Sequence, residues 1–175
     1  MALNDYYLIC NGEIFNHEKI IQEYNFTTNS KSDCEVILHL YNYLINKIGQ
    51  ENENPYNDVM NILCNKLDGE FSFVLYDTKR NNVYVARDPY GVRPLFIGNT
   101  DNGDYVFSSE LKGLNNLATD VKQFEPGTFM IIDNNMPQLK LEVYENRYHN
   151  ITYYNNINNI DNTNTQNILT DLNSC

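Results

Sequence analysis

Positive charge is scarce in this sequence. Twelve Lys and Arg stand against 23 Asp and Glu, leaving a net charge of −11. Binding to phosphate needs Lys and Arg in excess, so the balance argues against a nucleic-acid partner and against an anionic membrane surface. The acidity itself reads as a contribution to solubility. Long apolar runs are missing as well: nothing approaches the roughly 18 residues that span a bilayer. The opening MALNDYY has neither the basic nor the apolar region of a signal peptide. The expectation is a cytoplasmic protein. Cys10, Cys34, Cys64 and Cys175 are scattered, with no CxxC and no metal-like spacing to His17, His39 or His149. They read as reduced thiols, and no metal site is expected. GxGxxG, a P-loop and a Gly-Gly-x-Asp-Ser pyrophosphate loop are all absent, so no nucleotide cofactor is expected on this chain.

What remains is a chain of 175 residues, 42% hydrophobic and 13% aromatic, enough for one domain with a real core. Tyr6 to Cys10 has the look of a buried strand, and Glu18 to Glu23 suits a short helix. Ser32 and Glu35 have capping-box spacing ahead of a helix, in which Val36, Leu40, Leu44 and Ile37, Tyr41, Ile45 recur at helical spacing. Gly49 ends it, with Lys47 in the last turn. After the acidic QENENPYN loop, Val59, Ile62, Leu63 and Leu67 mark a second amphipathic helix. Short β runs follow: EFSFVLYD, NNVYVARD, PLFIGNT and DYVFSSE, separated by turn-like spacers. Glu110 to Leu114 suits a helical turn, and GTFMIID with LKLEVYE suggests a hairpin around NNMPQ. Helices first and antiparallel strands second imply an α+β layered fold. Asn150 to Cys175 is Asn-rich and unpatterned, and is read as a tail or the start of a linker, leaving residues 1–149 as the domain.

Four places carry groups capable of chemistry. Asn11-Gly12-Glu13 ends the first strand. It is either a plain turn or an amide and a Gly N–H placed to hold an oxyanion, beside an acid suited to an ammonium. Asp33 either complements a helix dipole or serves as a second acid for the same cation. ARDPYGVRPLF is a rigid turn, in which Arg87 or Arg93 could pair with Asp88 or Glu110. SSELKGL reads as a cap, with Ser109 at the N-cap and Glu110 in the first turn.

Taken together, CNGEIFNH, SDCEVILHLY, LDGEFSFVLYD, ARDPYGVRPLF, SSELKGL and FEPGTFMIID resemble, in order and spacing, the class II glutamine amidotransferases. They are most similar to the glutaminase domain of glutamine-hydrolysing asparagine synthetase. Each motif is weak alone; six in register are strong. The resemblance implies an αββα four-layer sandwich of antiparallel sheets, the Ntn-hydrolase type. It implies that Asn11 and Gly12 form the oxyanion hole and that Glu13 and Asp33 hold the α-ammonium of glutamine. Arg87, Asp88, Gly91, Arg93 and Glu110 would support the site. In the family a thioester on an N-terminal Cys releases ammonia. A synthetase domain, where ATP and Mg act, then uses that ammonia to make asparagine from aspartate.

The sequence departs from this pattern at both ends. The family's N-terminal Cys-Gly-Ile, its RGPD segment and its carboxylate-clamping Arg all precede the Asn-Gly-Glu strand, where this chain has only ten residues. The expectation is therefore an N-terminally incomplete glutaminase domain with no nucleophile of its own, inactive alone, its partner being the remainder of an asparagine synthetase. Two other readings stand beside it: a non-catalytic glutamine-binding or partner-binding module, and a fragment of an amidophosphoribosyltransferase, which ARDPYGVRPL also resembles.

Overall fold

A computed structural model describes residues 1–49, 55–135 and 143–148. The Asn-rich segment from 150 onward, the NNMPQ turn from Met136 and the first residues of LKLEVYE lie outside the described residues, as does QENEN, residues 50–54.

The first long strand shows why the layers form where they do. β1 (Ala2–Leu3) pairs with β2 (Tyr6–Ile14), and along β2 the side chains alternate between two faces. Tyr6, Leu8 and Ile14 are buried, whereas Tyr7, Ile9, Asn11 and Glu13 are exposed on the other face. The buried face meets α1 (His17–Tyr24), α2 (Glu35–Ile48) and α3 (Tyr56–Lys66). α2 is the central helix of that layer: Val36, Ile37, Leu38, Leu40 and Tyr41 are wholly buried. Burying each such side chain contributes about 1.5–3 kcal/mol before the entropy of ordering is counted.

β3 (Gly69–Asp77), β4 (Asn82–Arg87), β8 (Thr128–Asp133) and β9 (Val143–Arg147) complete a six-stranded antiparallel sheet in the order β1-β2-β3-β4-β8-β9. Its central strands are covered on both faces. Phe71, Phe73 and Leu75 pack with the helices, whereas Val74, Val83, Val85, Met130 and Ile132 pack toward a second sheet. That sheet is small: β5 (Phe96–Asn99) lies between β6 (Tyr105–Ser108) and β7 (Thr119–Gln123). It contributes Ile97 to the second core, with Leu95 just before β5 and Phe124 just after β7. The described residues thus supply helix, sheet and sheet layers of the expected sandwich, and a 3₁₀ turn, Leu111–Leu114, follows β6.

The expected elements are found within a few residues of their sequence bounds, with two additions. β1 and β7 carry no strand signature; β7 reads TDVKQ and four of its five residues are exposed. The Ser32–Glu35 capping box does not form. Cys34 stands at the N-cap, with no side-chain cap. The Glu35 carboxylate reaches further back, to Asn29 N–H (2.7 Å), Ser30 N–H (2.7 Å) and the Ser30 hydroxyl (2.5 Å). Gly49 keeps right-handed helical geometry rather than a left-handed cap, its N–H bonding Ile45 O at 3.1 Å.

Candidate active site

Asn11-Gly12-Glu13 is not a turn. β2 runs through it to Ile14, with Asn11 opposite Ser72, Gly12 opposite Phe71 and Glu13 opposite Glu70. The reason is close approach. A Cβ on Gly12 would lie 2.2 Å from Glu70 O and 2.7 Å from Phe71 Cα, so only glycine lets the strands meet there.

The antiparallel ladder decides where the Gly12 N–H points. Phe15 N–H bonds Asp68 O, and Thr78 N–H bonds Asp5 O. Odd positions of β2 therefore exchange bonds with β3, and even positions turn theirs to the opposite edge. At that edge Leu8 N–H bonds Met1 O at 2.8 Å. Ile14 N–H donates to Asp33 Oδ2 at 2.5 Å, and the Cys34 thiol approaches Gly12 O at 3.5 Å. The Gly12 N–H faces the same edge and has no partner among the described residues. Asn11 projects from the adjacent position into a cleft of about 140 Å³, lined by Ile9, Leu95, Phe107, Ser108 and Ser109 among others.

Charge surrounds this edge. Arg93 Nη2 lies 2.7 Å from Glu70 Oε1 and 4.0 Å from Glu13 Oε1. The Glu13 side chain is 65% exposed, leaving its carboxylate open to a ligand. Asp33 is held at the edge by its bond to Ile14, and Glu35 holds the loop that carries it. Burial raises the cost of charge on Glu35. The donors from Asn29 and Ser30, with His39 at 3.2 Å, outweigh that cost and bring its carboxyl down to about 2.

The 88–94 turn stands behind the edge. Asp88 is 1% exposed and accepts from Tyr90 N–H (3.0 Å), Val92 N–H (3.0 Å) and Arg93 N–H (3.1 Å). Arg87, also 1% exposed, donates to three carbonyls: Arg93 (2.8 Å), Phe124 (2.7 Å) and Gly91 (2.7 Å). Burial lowers its pKa below the ordinary arginine value. Gly91 has φ +66°, and a Cβ there would meet Pro126 at 2.7 Å and the Arg87 guanidinium at 3.0 Å. Tyr148 donates its hydroxyl to Arg87 O at 2.6 Å.

The structure therefore brings Asn11, Gly12, Glu13, Asp33 and Arg93 together, with Arg87, Asp88 and Gly91 supporting them from the turn. Two expected pairings are not made. Arg87 bonds carbonyls rather than Asp88 or Glu110, because its guanidinium is enclosed by the turn's own backbone. Glu110 follows the cleft-lining serines, but its carboxylate turns to Lys112 at 2.6 Å, on the surface. The Ser108 hydroxyl, not that of Ser109, bonds the Glu110 N–H. Sequence reasoning missed two residues. Glu70 is the main partner of Arg93 and sits opposite Glu13 in register; Glu35, whose spacing suggests a cap, instead holds the Asn29–Ser30 loop. Glu70 lies in a quoted motif, but strand register, not spacing, reveals its role.

A helical layer on two stacked antiparallel sheets, with an amide, a free N–H and carboxylates at one strand edge, is the framework of an Ntn-type amidotransferase. Residues 1–116 match the glutamine amidotransferase domain, and the chain belongs to that family. It is 42% identical over 133 residues to the glutamine-hydrolyzing asparagine synthetase of Homo sapiens, covering 73% of this chain and 21% of that protein. It is 38% identical over 131 residues to a probable asparagine synthetase of Acanthamoeba polyphaga mimivirus, covering 74% of this chain and 21% of the relative. Among solved structures it resembles the glutamine phosphoribosylpyrophosphate amidotransferase of B. subtilis, with TM-score 0.62 and 25% identity over 85% of this chain and 30% of that one. The chain thus spans about a fifth of the length of these curated relatives.

Proposed function

We propose that this chain carries the glutamine-binding wall of an asparagine synthetase-like glutaminase. The carrying observation is the Gly12 N–H, turned to an open strand edge beside the Asn11 amide. Two such donors suit a carbonyl oxygen that gains negative charge as a nucleophile adds. Glu13 and Asp33 supply the charge for the α-ammonium of glutamine. Asp33 is already aimed by its bond to Ile14, so little ordering remains to be done on binding. Arg93, shared between Glu70 and Glu13, restrains Glu13 and limits repulsion between the carboxylates.

Among the described residues, no thiol is placed to attack. Cys10 faces the helical layer, on the side of β2 opposite Asn11; Cys64 is buried on α3; Cys34 starts α2. These residues would bind glutamine without releasing ammonia, and the remainder of an asparagine synthetase would supply the nucleophile. Asparagine formation with ATP and Mg would take place there too. The identities of 38% and 42% to asparagine synthetases favour this partner over a phosphoribosyl-transferring one, where identity is 25%. Residues 1–149 would form the domain and 150–175 a tail or linker. The reading also carries a cytoplasmic location without nucleic-acid or membrane partners, in keeping with the charge of −11 and with no described helix long and apolar enough to cross a membrane.

Calorimetry with glutamine tests this directly. Wild-type chain should release heat on binding, and Asn11→Ala and Asp33→Asn should weaken binding at least tenfold. No heat with the folded wild-type chain overturns the proposal. Ammonia release above a mock preparation overturns the assignment of the nucleophile to residues outside these 175.

A further inference from the structure

Two thiols stand at the same strand edge, and the glutamine reading uses neither. Cys10 lies on β2 immediately before Asn11, on the helix-facing side and half-buried. Cys34 lies immediately after Asp33, at the start of α2, and is 4% exposed. Cys34 Sγ is 3.5 Å from Gly12 O, two residues along β2 from Cys10, and both cysteines belong to the core between the sheet and the helices. Both are free. Cys64, by contrast, is 1% exposed in the helical layer.

We propose that Cys10 and Cys34 form a dithiol modification site, which a two-electron oxidant of the peroxide class converts to a disulfide clamping the Asp33 loop to the Asn11-Gly12 edge. The Cys10 thiol favours the anion at Cys34 and lowers its pKa, while Cys34 and burial raise that of Cys10. The Cys34 thiolate attacks one oxygen of hydrogen peroxide and the O–O bond breaks; the attacked oxygen stays on sulfur as a sulfenic acid, and the other leaves as hydroxide and takes up a proton. The Cys10 sulfur then attacks the Cys34 sulfur. Its proton leaves with the sulfenic hydroxyl as water, and the S–S bond closes. Two thiols lose two electrons, peroxide gains two, and two waters form.

The consequence for the edge follows from position. Each cysteine is a chain neighbour of a proposed glutamine contact, Asn11 or Asp33. A covalent link replaces the Cys34 approach to Gly12 O, so strand edge and loop must shift together. Glutamine should bind at least threefold more weakly to the oxidised chain. That coupling rests on the glutamine reading; the disulfide itself does not.

Peptide mapping of the full chain after brief hydrogen peroxide treatment, with free thiols alkylated before digestion, tests the chemistry. The expected product is a peptide pair linking Cys10 to Cys34, two hydrogen atoms lighter than the reduced pair, cleaved by dithiothreitol, and absent from Cys10→Ser and Cys34→Ser. Alkylation of both cysteines after oxidation, with no linked pair, overturns the site. Calorimetry with glutamine on reduced and oxidised wild-type chain tests the coupling. Equal affinities in a chain shown to be linked overturn it. If the reduced chain binds no glutamine, the glutamine reading and the coupling fall, while the mapping still decides the site.

Discussion

The Asn11–Glu13 edge and the Asp88–Arg93 turn are neighbours with opposite bonding states. In the turn, Asp88 takes three backbone N–H groups and Arg87 gives to three carbonyls. At the edge, a backbone N–H and a carboxamide have no partner among the described residues, and the exposed Glu13 carboxylate has only Arg93, at 4.0 Å. Buried polar groups are costly unless paired, so the turn's groups are committed to structure. The open groups of the edge lie where water or a ligand can reach them. Polar residues from one family's motifs thus divide into those that bind the fold and those left to bind something else.

The comparison breaks first at Arg87. Replacing it with Ala strands three buried carbonyls and should cost about 3 kcal/mol or more, read as a fall in urea midpoint. Gly91→Ala forces φ +66° on a residue with a Cβ, against Pro126 and Arg87, and should cost about 1–3 kcal/mol in the same measurement. Glu35→Gln keeps the shape but removes the charge that four donors address. We expect a loss of about 1–2 kcal/mol at neutral pH. The pH dependence has a definite sign. The folded pKa of about 2 lies below the ordinary 4.5, so the unfolded chain binds more protons between them. The stability contributed by Glu35 should be full above pH 4.5 and fade as pH falls toward 2, and the difference between wild type and Glu35→Gln should shrink in step. The smallest stability effect belongs to the edge: Asn11→Ala should stay within about 0.5 kcal/mol of wild type while losing glutamine binding. If Asn11→Ala unfolds the chain, or Arg87→Ala leaves it intact, the division between edge and turn fails.

Much of this was legible in the residues. The helical spacing of Val36, Leu40 and Leu44 and the alternation in EFSFVLYD locate α2 and β3 because burial on one face imposes a period. β7 was not legible, since TDVKQ gains its strand geometry by pairing with β5 rather than from its own preference. Asn11-Gly12 carries the local signature of a turn, yet it runs straight because β3 lies alongside and glycine permits the approach. Ser32 and Glu35 have the spacing of a cap, but Glu35 found better donors in the folded loop at Asn29 and Ser30.

The sequence by itself determined the layer order, the candidate residues and the family resemblance, because periodicity and ordered motifs are properties of a line of residues. The tertiary structure alone decided which polar groups are spent and which are open. That depends on strand register: a shift of one residue would turn the Gly12 N–H into the sheet and the Asn11 side chain to the helices. It also depends on partners far away in the chain, Glu70 for Arg93 and Phe124 for Arg87, which no local pattern announces.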